Sequence, residues 1–133
     1  MNSEPKHIIL DASVVIAILA EEQGHEAVLS LLPKAVMSSV NVAEVAKFLI
    51  ESKNFSKNQA EEIITSLIEN IVPFDTELAI SSSAIIHQTK NLGLSLGDRA
   101  CLALGLQTKF PIYTADKVWR ELTIPDLEIN LIR

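Results

Sequence analysis

The stretch that most constrains this chain is residues 7–20, which read HIILDASVVIAILA. Three apolar residues lead to Asp11, and a second apolar run begins at Val14. The first run is typical of a short buried strand, and the second of a buried helix that follows the strand directly. Asp11 would then lie at the carboxyl end of a strand, where open parallel α/β sheets form their ligand sites.

The carboxylate of Asp11 has two interpretations that its neighbours in the sequence leave open. It would be partly desolvated, with no adjacent basic residue, and such a charge is costly unless it is paired or holds a cation. The same carboxylate would also suit the N-cap of the helix that follows.

Composition limits the classes of protein to which the chain can belong. Its 133 residues suit one domain with a single core, and a hydrophobic fraction of 48% is normal for a globular protein. The net charge of −6 argues against a simple electrostatic nucleic-acid binder, although two divalent cations held by the acids would reduce that charge to −2.

The first residues lack the pattern of a secretory signal, and Cys101 has no partner for a disulfide, so we expect a cytoplasmic protein. Apolar neighbours indicate that Cys101 is a core residue.

Helix signals recur along the rest of the chain. Pro33 and Gly93 are typical helix ends, and Ser56 and Asp75 are typical N-caps. We expect one helix that ends at Pro33, one that begins near Asn41 and one that follows Ser56. A further helix is expected to run without a break from Asp75 to Gly93.

Short apolar runs between these helices predict further strands. Residues 96–106 are almost all apolar, which is typical of a central helix buried on every side. Alternating strands and helices imply parallel βαβ units with helices on both faces of the sheet. After the strand that leads to Asp11, we expect strands at residues 35–37, 71–74, 111–113 and 127–131, the last at a sheet edge, with a short helical turn at 117–122.

Four acidic residues recur at equivalent places in this pattern. Asp11 and Asp116 follow strands, whereas Glu44 and Asp98 lie near the starts of helices. In a parallel sheet these positions meet at one edge, and four carboxylates there repel one another unless cations neutralise them. All-oxygen ligation suits Mg²⁺ or Mn²⁺, and divalent cations held by carboxylates recur where phosphodiester bonds are cleaved.

Each of these acids also has a local structural explanation. Asn41-x-x-Glu44 and Ser95-x-x-Asp98 both match the capping-box pattern. Asp116 would cap the short turn that follows it. The set of four, rather than any single member, favours a metal site.

Four segments, in this order and at these separations, resemble the PIN domain: IILDASVVIAIL, SSVNVAEVAKFL, LSLGDRACLALG and PIYTAD. The resemblance runs from Ile8 to Ile132 and is closest to the VapC-type ribonuclease toxins of bacterial toxin–antitoxin pairs. It implies a single nuclease domain over residues 1–133, with a three-layer α/β/α sandwich around a mainly parallel sheet of about five strands. Gly97 is a small departure, since a residue such as Ala is common there in similar sequences; it would loosen the helix start without removing a ligand.

The resemblance also implies an activity, a cofactor and a set of site residues. The protein would hydrolyse RNA phosphodiester bonds with one or two Mg²⁺ or Mn²⁺ ions. Attack by water rather than by a ribose 2′-hydroxyl would leave 5′-phosphate and 3′-hydroxyl ends. Hydrogen bonds from Ser13 and Thr114 would support the site. The catalytic and metal-binding residues would be Asp11, Glu44, Asp98 and Asp116.

The expected partners follow from the same resemblance. They are an RNA substrate, such as a tRNA or an rRNA, a cognate antitoxin protein that blocks the acidic cleft, and a second copy of the chain in a homodimer; no membrane is involved.

Two further side chains each have two interpretations. Arg99 would contact an RNA phosphate or pair with an acid. Trp119 would stack on a base or, as is more usual in a chain with few aromatic residues, pack in the core.

Three other functions compete with the toxin interpretation. The first is an RNA-processing PIN nuclease outside toxin–antitoxin systems. The second is a catalytically silent PIN-like module that binds a partner. The presence of all four acids gives the silent module little support. A phosphate-accepting receiver domain is also α/β with acids at strand ends, but Asp11 lacks the adjacent acid that this class needs.

Overall fold

Five short strands form one parallel sheet in a computed structural model, which describes residues 5–133. The strand order is β3-β2-β1-β4-β5, so β1 is central and β3 and β5 lie at the edges. The strands are β1 (Ile8–Leu10), β2 (Ala35–Ser38), β3 (Asn70–Val72), β4 (Ile112–Thr114) and β5 (Ile129–Leu131). The predicted parallel sheet and the predicted edge position of the last strand are confirmed.

Alternation along the strands separates two apolar cores. Ile9 is in register with Val36 on one side and with Ile112 on the other, and all three belong to the same core. Ile8 is in register with Ala35, and both belong to the opposite core. Because successive strand residues face opposite sides of a sheet, this register gives both faces an apolar surface that helices cover.

The helices form two layers, one on each face of the sheet. Buried apolar residues of the first four helices share one core, and those of the fifth and seventh helices share the other. The predicted three-layer α/β/α arrangement is therefore confirmed. The helices are α1 (Ala12–Leu19), α2 (Glu26–Leu29), α3 (Ser39–Lys47), α4 (Lys57–Leu67), α5 (Thr76–Ala84), α6 (Ile86–Thr89) and α7 (Leu96–Thr108).

The prediction of one unbroken helix from Asp75 to Gly93 is wrong. Asp75 does cap α5, but the helix breaks at Ile85, where φ is −100° and ψ is 15°. The hydroxyl of Thr89 donates to the carbonyl of Ile85, and the hydroxyl of Ser82 donates to a carbonyl one turn back. Such hydroxyls compete for helix carbonyls and favour bends. Gly93 ends the segment in the left-handed conformation, with φ of 69°.

Two other helix boundaries differ from the sequence prediction. The helix before Pro33 is a single turn, and Pro33 itself lies inside a 3-10 turn, Leu32–Lys34. Helix α3 begins at Ser39 and is capped by Ser38, so Asn41 already lies inside the helix. The predicted cap at Ser56 is confirmed, with a complete capping box to Gln59.

Helix α7 is the central helix that the sequence predicts. Residues 100–105 are all buried, and the helix packs against β1, β2, β4 and the neighbouring α3 and α5. It ends at Lys109, which adopts the left-handed conformation. Across residues 5–133, no helix has both the length and the apolar character required to span a bilayer.

We expect Gly105→Ala to destabilise the protein. A Cβ atom at Gly105 would lie 2.5 Å from Cδ1 of Ile112 and 3.1 Å from Cδ2 of Leu127. Ile112 is completely buried, so it has no open space into which to move. Overpacking of this kind costs about 1–3 kcal/mol, which exceeds the gain of about 1 kcal/mol from the better helix propensity of Ala.

Urea unfolding at neutral pH measures this difference. Gln107→Ala is the matched control, since it places Ala on the exposed side of the same helix. A higher free energy of unfolding for Gly105→Ala than for the unmodified protein would contradict the packing that the structure gives to this position.

Candidate active site

Asp11 lies at the point where the strand order reverses, between β1 and β4. It follows β1 directly and caps α1, with Oδ1 accepting from the backbone N–H of Val14 at 3.1 Å. The hydroxyl of Ser13 donates to the same oxygen at 2.6 Å, and that of Thr114 donates to Oδ2 at 2.6 Å. The carboxylate is thus held by β1, α1 and the end of β4 together, in the crevice where open α/β sheets bind ligands.

Ser13 and Thr114 connect this carboxylate to the chain after β4. Each hydroxyl gives its single hydrogen to Asp11, so each accepts a bond through its oxygen. Ser13 Oγ accepts from the N–H of Ala115 at 2.9 Å, and Thr114 Oγ1 accepts from the N–H of Asp116 at 3.1 Å. Two short side chains therefore fix the loop that carries Asp116 relative to Asp11.

Burial dominates the electrostatics of Asp11. Only 4% of the residue is exposed, and this desolvation raises its pKa from 3.8 to about 6. The hydrogen bonds from Ser13, Thr114 and Val14 oppose the rise, whereas the negative charge of Asp98 adds to it. Within residues 5–133 no basic side chain forms a salt bridge with Asp11; the ion pair found there joins Arg133 to Glu22. The carboxylate is therefore desolvated without a neighbouring positive charge, a costly state for an ionised acid.

Asp98 lies in the first turn of α7. Its Oδ2 accepts from the N–H of Ser95 at 2.9 Å, and its own N–H donates to the hydroxyl of Ser95 at 3.2 Å. The capping box predicted for Ser95 and Asp98 is therefore confirmed. The cap uses one carboxylate oxygen, and the other accepts no hydrogen bond from residues 5–133.

Glu44 reaches the same helix terminus from α3. Its Oε1 accepts from Nδ2 of Asn41 at 2.8 Å, and the same amide nitrogen donates to the carbonyl of Gly97 at 3.1 Å. The capping box predicted from Asn41 to Glu44 is wrong, because α3 has already begun at Ser39. The bond is instead a side-chain contact that joins α3 to α7.

Asp116 caps the turn that follows β4, as its position in the sequence predicts. Its Oδ1 accepts from the N–H of Val118 at 3.1 Å, at the start of the 3-10 turn Lys117–Glu121. The side chain is exposed, and its second oxygen accepts no hydrogen bond within the described residues.

Three of the four predicted acids act on one buried group. Burial raises the pKa of the Cys101 thiol, and the negative charges of Asp11, Asp98 and Glu44 raise it further. Asp11, Asp98 and Glu44 therefore lie close enough to Cys101 for their charges to act on its thiol, whereas Asp116 adds no such effect there. In the part of the chain that the structure describes, no three His, Cys, Asp or Glu side chains are close enough to form a metal-ligand group as they stand. These acids therefore do not form a closed ligand sphere.

Other residues singled out in the sequence have clear positions. Cys101 is fully buried, which confirms its interpretation as a core residue. Trp119 is 1% exposed and packs in the core with α5 and α7, so it has no free face on which a base could stack. Arg99 forms no salt bridge within residues 5–133, and its Nε is buried without a hydrogen-bond partner.

Sequence reasoning missed the contact that Asn41 makes. The signal was present, because Asn41 lies one turn before Val45 and two turns before Leu49, on the apolar stripe of the predicted helix. A polar residue on the apolar stripe of a helix needs a hydrogen-bond partner there. Its partner in the structure, Gly97, is 56 residues away and could not be found from local spacing.

Together the fold and the acids at the carboxyl edge of the sheet define a class of protein. It is a three-layer α/β domain with acidic side chains at the topological switch point of a parallel sheet. The family model of the PIN domain matches residues 8–124. The chain therefore belongs to the PIN-domain family.

Solved structures with the same fold include components of toxin–antitoxin complexes. DNA-bound VapBC from Salmonella typhimurium is 15% identical with a TM-score of 0.71, and the match covers 97% of this chain and 100% of that one. FitAcB from Neisseria gonorrhoeae is 25% identical with a TM-score of 0.64, covering 92% and 95%. VapC20 from Mycobacterium tuberculosis, a toxin that cleaves the sarcin-ricin loop, is 15% identical with a TM-score of 0.69, covering 83% and 90%. A comparison with curated protein sequences finds no match.

We expect the metal-free protein to lose stability as the pH rises from about 4 to about 6. Asp11 has a pKa of about 6 in the folded chain against 3.8 without the fold, so the folded state binds more protons across this interval. The raised pKa corresponds to about 3 kcal/mol of unfolding free energy that is present at low pH and lost above pH 6. Asp11→Asn should remove this contribution.

Urea unfolding in EDTA at several pH values between 4 and 8 tests the expectation. Other carboxylates titrate in the same range, so the informative quantity is the difference between the unmodified protein and Asp11→Asn at each pH. Asp126→Asn is the control, since Asp126 is exposed and lies before β5. A difference that does not change with pH would mean that Asp11 is not desolvated as the structure has it.

Proposed function

We propose that this protein is a metal-dependent endoribonuclease that hydrolyses RNA phosphodiester bonds, and that it is the toxin of a VapBC-type toxin–antitoxin pair. The observation that carries the proposal is the buried carboxylate of Asp11 at the switch point of a PIN-domain sheet, with the negative charge of Asp98 acting on it and no basic partner in residues 5–133. Membership of the PIN-domain family supports the nuclease chemistry. The toxin role is supported by the toxin–antitoxin complexes that share the fold.

The donor set fits a hard divalent cation. Asp11, Glu44, Asp98 and Asp116 offer only oxygen ligands, which is the choice of Mg²⁺ and Mn²⁺. Glu44, Asp98 and Asp116 each keep one carboxylate oxygen that accepts no hydrogen bond from residues 5–133. We propose that these four acids hold one or two Mg²⁺ or Mn²⁺ ions. Since the acids do not form a closed ligand group within residues 5–133, binding would draw them together.

The protein's own residues would orient this site. Ser13 and Thr114 fix both oxygens of Asp11, so its carboxylate has one orientation before any ligand arrives. The N-terminus of α7 carries a partial positive charge that favours a phosphate oxygen near Asp98. A bound divalent cation would supply charge neutralisation at the phosphate and a lower pKa for an attacking water molecule. Attack by water would leave 5′-phosphate and 3′-hydroxyl ends.

The proposal extends to partners and location. An antitoxin protein would cover the acidic edge, and the toxin would act on a structured RNA such as a tRNA or an rRNA in the cytoplasm. VapC20, whose fold is similar, is described as cleaving the sarcin-ricin loop, which is consistent with an rRNA target. A homodimer is expected by the same resemblance. Recognition of RNA would depend on the shape of the surface around the site.

One observation favours a second candidate, a catalytically silent PIN module that binds a partner protein. The acids do not form a closed ligand group within residues 5–133, and Asp11, Asp98 and Asp116 each have a capping role that needs no metal. In that function the acids would serve the fold alone. Metal binding therefore separates the two candidates.

We expect Asp98→Asn to remove RNA cleavage while leaving the fold intact. Asn keeps an oxygen that can accept from Ser95, so the cap loses only the charge interaction with the helix terminus, about 0.3–1 kcal/mol. Loss of a metal ligand should lower the cleavage rate at least about a hundredfold. Cleavage of a total RNA pool in Mg²⁺ or Mn²⁺, by protein free of any copurified inhibitor, measures the effect.

Asp126→Asn is again the control for this substitution and should cleave as the unmodified protein does. Analysis of the product ends tests the direction of attack. If Asp98→Asn unfolds, the acid serves the cap, and the silent module gains support. If Asp98→Asn is folded and still cleaves in EDTA, the activity does not come from the proposed site.

We expect Mn²⁺ to stabilise the protein and EDTA to abolish cleavage. A ligand that binds only the folded state raises the free energy of unfolding by about 2.7 kcal/mol at a hundredfold excess over its Kd. Thermal unfolding with and without Mn²⁺ should therefore show a clear rise in Tm, which Asp11→Asn should lose. A folded protein whose Tm does not respond to Mn²⁺ or Mg²⁺, and which cuts no RNA, would favour the silent module.

A further inference from the structure

Beyond the four acids and the two hydroxyls, we propose that Asn41 is a positioning residue for the nuclease site. Its side-chain amide holds the carboxylate of Glu44 against the first turn of α7, beside Asp98, so that Glu44 is available to a bound metal ion. The inference rests on the proposed function, because it assigns Asn41 a role in the same metal site.

The hydrogen bonds of Asn41 fix the orientation of its amide. Nδ2 donates to Oε1 of Glu44 at 2.8 Å and to the carbonyl oxygen of Gly97 at 3.1 Å. Both partners are acceptors, so only the nitrogen of the amide can face them. Asn41 is 1% exposed, whereas Glu44 is exposed. A buried and fixed group therefore holds one that solvent would otherwise leave free to change rotamer.

Gly97 makes room for this arrangement. A Cβ atom at that position would collide with both carboxylate oxygens of Glu44 and would lie 2.6 Å from its Cδ. The three atoms nearest to such a Cβ all belong to Glu44. The carboxylate thus packs directly on the bare Cα of the residue that precedes Asp98. The absence of a side chain at Gly97, which departs from similar sequences, permits the contact.

The oxygen of the Asn41 amide is buried and accepts no hydrogen bond within residues 5–133. Buried polar atoms are usually paired, but the hydrogen bonds of the Asn41 side chain come from its nitrogen alone, to Glu44 and Gly97. The amide therefore leaves one acceptor unpaired while it holds Glu44 with its donor.

In metal centres, a group that hydrogen-bonds a ligating carboxylate sets the orientation of that carboxylate. Loss of such a group typically weakens metal affinity or activity 10–100-fold. We therefore expect Asn41→Ala to weaken Mn²⁺ binding about tenfold or more. The KM for RNA should change little and kcat should fall, because Asn41 acts through Glu44 rather than on the substrate.

A double-mutant cycle tests whether Asn41 acts through Glu44. The Kd for Mn²⁺ is measured by calorimetry for the unmodified protein, Asn41→Ala, Glu44→Ala and the double variant. If Asn41 only positions Glu44, its substitution should have no further effect on the Kd once Glu44 is removed. Ser82→Ala is the matched control, since it truncates another buried polar side chain, on α5, and should leave the Kd unchanged.

A second variant keeps the test independent of the stability of Asn41→Ala. Gly97→Ala would push the carboxylate of Glu44 away while it improves helix propensity, so it should weaken Mn²⁺ binding without lowering Tm. This effect should also disappear when Glu44 is absent. An unchanged Kd in both Asn41→Ala and Gly97→Ala, or equal losses with and without Glu44, would overturn the positioning role.

The unmodified protein separates this inference from the proposed function. If it binds Mn²⁺ and cleaves RNA while the Asn41 variant behaves identically, the inference fails and the nuclease proposal stands. If it neither binds Mn²⁺ nor cleaves RNA, the nuclease proposal fails and the role of Asn41 fails with it.

Discussion

The desolvation of one carboxylate is the constraint on which the rest of this molecule depends. Asp11 is almost completely buried between the ends of β1 and β4, and the described chain provides it with hydrogen bonds but no positive charge. Three donors reduce the cost of that burial without removing it, and its pKa remains about 6. The sheet order places Asp11 there, because β1 and β4 are neighbours and the segments that follow them pack on opposite faces of the sheet.

Capping and metal binding are compatible uses of the same acids. A cap occupies one oxygen of a carboxylate, and each carboxylate has two. Asp98 and Asp116 each give one oxygen to the backbone of the turn that they begin, which leaves the other oxygen available. Capping also fixes the direction of the side chain before a ligand arrives. The local explanation that the sequence offers for each acid therefore describes how the proposed site is preorganised.

The sequence predicts most of the fold because its signals are local. Apolar runs followed by Asp11 or Thr114 indicate strand ends, and the alternation of strands with helices implies a parallel sheet. Boundaries shift where side chains compete for the backbone. Ser38 starts α3 two residues earlier than the apolar pattern suggests, and the helix after Asp75 breaks at Ile85, near hydroxyls that donate to backbone carbonyls.

The placement of the acids is only partly predictable for a different reason. That Asp11 and Asp116 lie at one edge follows from the parallel sheet alone. The position of Glu44 depends on Asn41 and on the bare Cα of Gly97, in a helix 56 residues further along the chain than Asn41. No pattern within one helix encodes a contact between two helices. The sequence therefore identifies which acids belong to the candidate site more readily than it identifies what holds them.

If RNA is the substrate, the negative charge of the protein implies that metal ions bind before the RNA does. The protein carries a formal net charge of −6, so its surface does not attract a polyanion over long distances. Two divalent cations at the acidic edge would bring that charge to −2 and would place positive charge where the phosphate must lie. The metal would then be needed for RNA to approach this edge, in addition to its part in the chemistry. Because the attraction would be short-ranged, the fit of the RNA to the surface around Asp11 would contribute more to selectivity than its overall charge.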